Sequence, residues 1–284
     1  MSRILVIGAK GMLGRDLVEI LRSSFPTEEV IGWDIEEIDI REEKETIEKI
    51  EDLQPRTVIN VAAYTDVDGC ESDEAKALAI NAEGMKHVAS AASRCHAKVV
   101  YLSTDYVFDG MKKEPYVEED LPRPFNVYGR SKLKGEEYVQ GAVKDGLIVR
   151  TQWLYGKHGK NFVTAILRQA KEKKILSIVN DQTGCPTYTR DLSGAISVLL
   201  RQDARGIFHV TNSGSCTWYT FGREILRRSG IEGVEARPIP SEELGRPARR
   251  PPYSVLDCQK LKAETGMELR PWSEALGEYL ATLP

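Results

Sequence analysis

An apolar run, Ile4–Ile7, ends directly in Gly8-Ala9-Lys10-Gly11-Met12-Leu13-Gly14, and a helical pattern starts at Met12. Strand, glycine turn and helix in that order restrict the fold more than any other stretch of the chain. The glycines permit a tight turn and let backbone approach a pyrophosphate, which the helix N-terminus favours electrostatically. The spacing is Gly-x-x-Gly-x-x-Gly instead of the commoner Gly-x-Gly-x-x-Gly, so the strand–turn–helix context carries the reading. Asp34 lies twenty residues past Gly14, at the end of the next apolar run. A carboxylate there accepts from an adenosine ribose hydroxyl; a solvated turn aspartate is the alternative.

Beyond the turn, short apolar runs alternate with longer helical patterns, the signature of βαβ units and a parallel sheet. Strands are expected over 4–7, 30–33, 57–61, 99–103 and 147–150, with later ones over 175–179 and 207–210. Helices are expected over 12–23, 42–53, 75–93 and 128–140. The fold class is therefore α/β, a Rossmann-type doubly wound parallel sheet with a smaller C-terminal substrate domain. Residues 1–150 form the expected dinucleotide-binding domain, with later segments returning to it, and 151–284 mainly the substrate-binding domain. Arg237–Pro252 holds five prolines and four arginines and reads as irregular connector.

The charge balance removes several classes of function. A net charge of −4 argues against a general nucleic-acid binder, and no stretch reaches the apolar length of a membrane span. Five scattered cysteines without a Cys-x-x-Cys suggest reduced thiols in a cytoplasmic protein. Four histidines without His-x-x-x-His suggest no metal.

Chemistry is concentrated in three further stretches. Asn60-Val61-Ala62-Ala63-Tyr64 ends a strand with small side chains that leave room for a nucleotide. Ser103-Thr104-Asp105-Tyr106 continues the next strand and places hydroxyls at its carboxyl end. Tyr128 and Lys132 are four residues apart on one helix face, about 5–6 Å apart at Cβ. A phenol beside an ammonium is either surface decoration or a proton donor tuned toward neutral pH.

With Asp39-Ile40, Ala62-Ala63-Tyr64-Thr65, the run Ser103–Gly110, Gln152-Trp153-Leu154-Tyr155 and Asp181–Thr187, the chain resembles the extended short-chain dehydrogenases/reductases. More narrowly it resembles the dTDP-4-dehydrorhamnose reductase family, essentially end to end. The resemblance implies reduction of the C4 ketone of dTDP-4-dehydro-L-rhamnose, with NADPH or NADH as cofactor. Thr104, Tyr128 and Lys132 would be catalytic. Cofactor contacts are implied for Gly8, Lys10, Gly11, Met12, Leu13 and Gly14, then for Asp34, Asp39, Ile40, Ala62, Ala63 and Tyr64. Ser103, Tyr128 and Lys132 complete that set. The dTDP-sugar substrate would meet Thr65, Val67, Thr104, Asp105 and Tyr106, and beyond them Trp153, Gln182, Thr187 and Arg250. Arg246 and Arg249 add to a basic cluster suited to a diphosphate.

Departures from family patterns matter too. Some relatives join subunits through a metal held by acidic residues, one directly after the third glycine; here Arg15 stands there, so neither metal nor that dimer is implied. The chain is read as monomer or homodimer. Related dehydratases carry Asp-Glu after the catalytic threonine, whereas Thr104 is followed by Asp105 and Tyr106, which favours simple reduction. Asp34 opposes a 2′-phosphate and Lys10 favours one, so both cofactors should be tolerated. Two rival functions are a regulatory subunit of the methionine adenosyltransferase type and another sugar-nucleotide reductase or epimerase.

Overall fold

The computed structural model describes residues 2–283. The first half runs β1 (Arg3–Ile7), α1 (Met12–Ser24), β2 (Glu29–Trp33), α2 (Glu43–Leu53), β3 (Thr57–Asn60), α3 (Val67–Ser72), α4 (Glu74–Leu78), α5 (Gly84–Arg94), β4 (Lys98–Thr104), α6 (Val127–Ala142) and β5 (Leu147–Thr151). The second half adds α7 (Phe162–Glu172), β6 (Ile175–Val179), α8 (Thr189–Arg201), β7 (Gly206–His209), α9 (Trp218–Arg228), β8 (Glu235–Ile239), α10 (Gln259–Thr265) and α11 (Trp272–Ala281).

Six of these strands form one parallel sheet in the order β7-β5-β4-β3-β1-β2. Its central strands are apolar on both sides because both faces are covered. One face packs Ile4, Val6, Ile59 and Val149 against Leu17 of α1 and Leu192, Ile196 and Leu199 of α8. The other packs Leu5, Ile7, Val58 and Val99 against Ile50 of α2 and Val88 and Ala92 of α5. From β1 the chain moves to the edge strand β2, then returns to β3 on β1's other side. A crevice therefore opens where the order reverses, beyond the carboxyl ends of β1 and β3. Gly8 and Ala62 line it, so close that a Cβ on Gly8 would stand 2.6 Å from the Ala62 nitrogen.

The helix expected over 75–93 is not continuous. A five-residue π-turn, Ala79–Glu83, separates α4 from α5. Asn81 explains the break, because its side chain works outside the helix. Its Oδ1 accepts from the Tyr64 amide at 2.8 Å, and its Nδ2 donates to the Tyr64 carbonyl at 3.1 Å and to Ser131 Oγ at 2.9 Å. Such turns often mark functional sites; this one ties the loop after β3 to α6.

A separate apolar cluster gathers Tyr155, Ile166, Ile178, Phe221, Leu276 and Tyr279 from the segments after β5. Here the expectation of an irregular 237–252 stretch needs correction. β8 pairs in parallel with β6, with Arg237 opposite Ser177 and Pro238 opposite Ile178. A proline is tolerated because the pair is only two strands wide and β8 is an edge, where a missing N–H removes no ladder bond. From Pro240 onward the stretch holds only a short 3₁₀ turn, Ser241–Leu244. No helix among the described residues is long and apolar enough to cross a membrane.

Candidate active site

The glycine turn is built for close approach. Gly8 adopts φ +87°, open to glycine at no steric cost. A Cβ on Gly14 would overlap the Gly8 carbonyl oxygen and the Ala9 backbone. α1 begins at Gly11 without a side-chain cap, so the amides of Met12, Leu13 and Gly14 are left for an anion. Beside the turn lies a cavity of about 360 Å³ lined by Gly8, Asp34, Asp39, Ile40, Ala62 and Ala63. An uncapped helix end, a turn that a Cβ would fill and an adjoining cavity with small side chains together fit a nicotinamide dinucleotide.

The charges around that cavity are not distributed as expected. Asp34 Oδ2 accepts from the Lys10 amide at 2.7 Å and Oδ1 from the Ile35 amide at 2.9 Å. The carboxylate thus holds the glycine turn, and only its remaining lone pairs face a ribose. The Lys10 ammonium lies 2.8 Å from Glu36 and 3.5 Å from Glu37, so it is not a free partner for a 2′-phosphate. Arg41 grips Asp39 through Nε and Nη2, and that contact holds the Asp39 carboxyl below its ordinary range. Ile40 presents its carbonyl to His87 Nδ1 at 2.9 Å.

Three consecutive residues of β4 organise the catalytic candidates. Leu102 offers its carbonyl to Lys132 Nζ at 2.7 Å. Ser103 Oγ donates to Glu136 Oε1 at 2.5 Å; its hydroxyl is turned to α6, not to the crevice as a cofactor contact would need. Thr104 Oγ1 donates to Asp105 Oδ1 at 2.9 Å and accepts from the Tyr106 amide at 3.2 Å. α6 starts beside them because Asn126 caps it, accepting from the Gly129 amide at 2.7 Å. Tyr128 comes next in the helix and packs edge-on against Tyr106, ring centres 5.6 Å apart.

The expected lowering of the Tyr128 pKa by Lys132 does not occur. Burial, then the Asp105 charge, push the phenol up, and the nearby Thr104 hydroxyl acts the other way. Lys132 is itself buried, with Nζ turned to Leu102 and 4.0 Å from the centre of the Tyr101 ring. Burial pushes the lysine down to about 7, with the Glu136 charge acting the other way. Tyr128 is therefore a loaded proton donor at neutral pH.

Asp105 is also displaced, pushed up to about 7 by burial against weaker hydrogen bonds from Ser254 and Thr104. Its folded value lies above the ordinary aspartate value of about 3.9. Its stabilising contribution is thus complete below about pH 4 and lost as pH rises through 7. Asp105→Asn is expected to stabilise the fold at pH 8 by on the order of 2–4 kcal/mol and much less at pH 5. Thermal unfolding at both pH values checks this; equal effects would contradict a buried, strained carboxyl.

A second cavity, about 740 Å³, opens beside Tyr106 and takes in Gln182, Trp218, Arg246, Arg249 and Arg250. Arg250 forks onto Asp68 of α3 at 3.0 and 2.9 Å, and Arg246 approaches the same carboxylate at 3.5 Å. Gln182 donates to Ser241 Oγ at 2.7 Å. Thr65 is exposed and Val67 half-buried where the loop after β3 enters α3. Thr187 departs from expectation: it is fully buried, and its hydroxyl donates to the Cys185 carbonyl, so it braces a turn. Trp153 stacks on Trp218, ring centres 3.5 Å apart. Its φ of +48° is rare for a bulky residue, and it puts one indole face against α9. Trp218, Asn81 and Glu136 went unread in the sequence, since an isolated tryptophan, asparagine or helical glutamate has no spacing signal.

The chain matches the model of the family described as "RmlD substrate binding domain" over residues 1–284. It belongs to that family. Within the RmlD family it is 42% identical to a dTDP-4-dehydrorhamnose reductase of Clostridium acetobutylicum of known structure, with 98% of both chains covered and a TM-score of 0.95. A dTDP-4-dehydrorhamnose reductase from Bacillus anthracis, solved in complex with NADP, is 38% identical over 100% of both chains, with a TM-score of 0.95. The spore coat polysaccharide biosynthesis protein SpsK of Bacillus subtilis is 41% identical, covering 99% of this chain and 97% of its own. RmlD membership accounts for the Rossmann-type sheet.

Proposed function

We propose that this protein reduces the C4 ketone of dTDP-4-dehydro-L-rhamnose to the alcohol of dTDP-L-rhamnose with NADPH. One observation supports the reading: Thr104 ends β4 beside α6, which carries Tyr128 and Lys132, and Tyr106, packed on Tyr128, lines the arginine-rich cavity. The reduced nicotinamide supplies hydride to the carbonyl carbon. Tyr128 gives its proton to the ketone oxygen as that becomes an alcohol, and Thr104 holds the phenolate left behind. Lys132 holds the nicotinamide ribose hydroxyls. Arg246 and Arg250 receive the diphosphate by exchanging Asp68 for it, a bidentate geometry that suits guanidinium groups.

The test is product identification. With dTDP-4-dehydro-L-rhamnose, the protein should consume NADPH in equal amount and yield dTDP-L-rhamnose. A 4-keto-6-deoxy sugar formed from dTDP-glucose and NAD⁺, with no NADPH loss in the first reaction, would overturn the reading. NADH is expected to serve as well, within about a thousandfold in kcat/KM, because neither Asp34 nor Lys10 is free to dominate.

A further inference from the structure

The Thr104 hydroxyl has one proton to give and two lone pairs to receive with, and three neighbours compete for them. Its Oγ1 lies 2.9 Å from Asp105 Oδ1 and accepts from the Tyr106 amide at 3.2 Å, and the Tyr128 hydroxyl is close by. α6 is pressed onto the turn that holds them. A Cβ on Gly129, the residue after Tyr128, would overlap the Tyr106 carbonyl oxygen. Asp105 is buried, and its second oxygen, Oδ2, has no hydrogen-bond partner. Ser254, the other hydroxyl nearby, is directed at Gln152 Oε1 at 3.5 Å. A charged carboxylate is costly in such a place, and a neutral acid is not.

The charge of Asp105 decides which way the hydroxyls point. If Asp105 is ionised, Thr104 must donate to it. One Thr104 lone pair then serves the Tyr106 amide, and the other can only accept the Tyr128 proton, which is drawn away from the ketone. If Asp105 is neutral, the acid donates to Thr104 and both lone pairs are filled. The Thr104 proton is then free to turn to the Tyr128 oxygen.

We propose that Asp105 is a positioning residue: as a neutral acid it donates to Thr104, turning the Thr104 proton toward Tyr128 and the Tyr128 proton toward the ketone. When Tyr128 gives its proton to the ketone oxygen, Thr104 already donates to the phenolate, and neither Thr104 nor Asp105 loses a proton. The titratable groups around Asp105 leave this arrangement in place. Tyr106 on the same turn and Tyr128 of α6 are held protonated by burial, and burial also holds Cys185 as a thiol. Arg246 and Arg250, which act on Tyr106, are held by Asp68. Lys132 Nζ is turned to the Leu102 carbonyl.

The inference rests on Tyr128 being the acid of the reduction proposed above. Its test measures kcat with NADPH and the sugar nucleotide from pH 6 to pH 9 in the wild type and in Asp105→Asn, whose side-chain amide can donate to Thr104 at every pH. Asp105 gives up its proton near pH 7, so the ratio of variant to wild-type kcat should rise by about tenfold or more over that range. Lys132 titrates in both proteins and cancels from the ratio. In a Thr104→Val background the same ratio should stay flat, because the effect passes through the Thr104 hydroxyl. A flat ratio in the first pair overturns the proposal. So does a ratio that still rises in the Thr104→Val background, since the Asp105 charge would then act on Tyr128 directly. The Asp105 proton is also read without sugar or cofactor, by NMR of the wild type carrying isotope-labelled aspartate. A carboxyl already ionised at pH 6 overturns the proposal even if the variants do not fold. A wild type that reduces no ketone fails the reaction reading instead, whatever the charge of Asp105.

Discussion

Tyr128→Phe is expected to lower kcat for ketone reduction by about 10²–10⁴-fold, the usual worth of a positioned general acid. The phenylalanine keeps the ring that packs against Tyr106 at 5.6 Å, so α6 and NADPH binding should stay near wild type. What disappears is the proton that burial holds on the phenol at neutral pH, together with its contact to Thr104. Lys132 offers no substitute, since its Nζ faces Leu102 and the Tyr101 ring. In free-energy terms the loss is about 2.7–5.5 kcal/mol of transition-state stabilisation. Steady-state kinetics at saturating sugar nucleotide measures it directly. Wild-type kcat in the variant would mean that another group protonates the product.

Gly14→Ala should be as damaging at the other end of the crevice. The added methyl would overlap the Gly8 carbonyl oxygen and crowd Ala9 Cα at 2.8 Å. Both neighbours are backbone in the turn between β1 and α1, and no side-chain rotation relieves the contact. The turn must open or α1 must shift away from the sheet, where Leu17 and Leu21 are fully buried. Overpacking of this kind costs typically about 1–3 kcal/mol of stability. The same movement displaces the first-turn amides of α1 from an anion, so the Kd for NADPH should rise by about tenfold or more. Thermal unfolding and fluorescence titration separate the two effects. An unchanged Kd with normal unfolding would show that the turn is not where the pyrophosphate binds.

Much of the scaffold could be read from neighbouring residues. β6 matches its apolar run end to end, and the other predicted sheet strands differ only by a residue or two at their ends. α1 and α6 begin at the glycine turn and at Asn126, where local geometry starts them. These readings work because strand and helix periods and glycine sterics act over a few residues. The reading failed where distant contacts override local preference. Asn81 breaks a helix to serve Tyr64 and Ser131, and Pro238 enters a strand because its neighbour β6 leaves it an edge.

Most of the candidate site residues were visible in the chain, but the state of their charges was not. Asp34 is spent on the Lys10 amide, Lys10 on Glu36, and Arg250 on Asp68, 182 positions away in sequence. Ser103, Glu136 and Arg150 likewise carry no joint spacing; β4, β5 and α6 bring them together. The sequence by itself determined the strand and helix segments, the glycine turn and the Tyr128–Lys132 spacing, since each follows from contacts between residues near in the chain. Only the tertiary structure decided which cation meets which carboxylate and how far each pKa moves. Those depend on the distance between elements and on how much water their packing excludes, and neither quantity exists until the chain has folded.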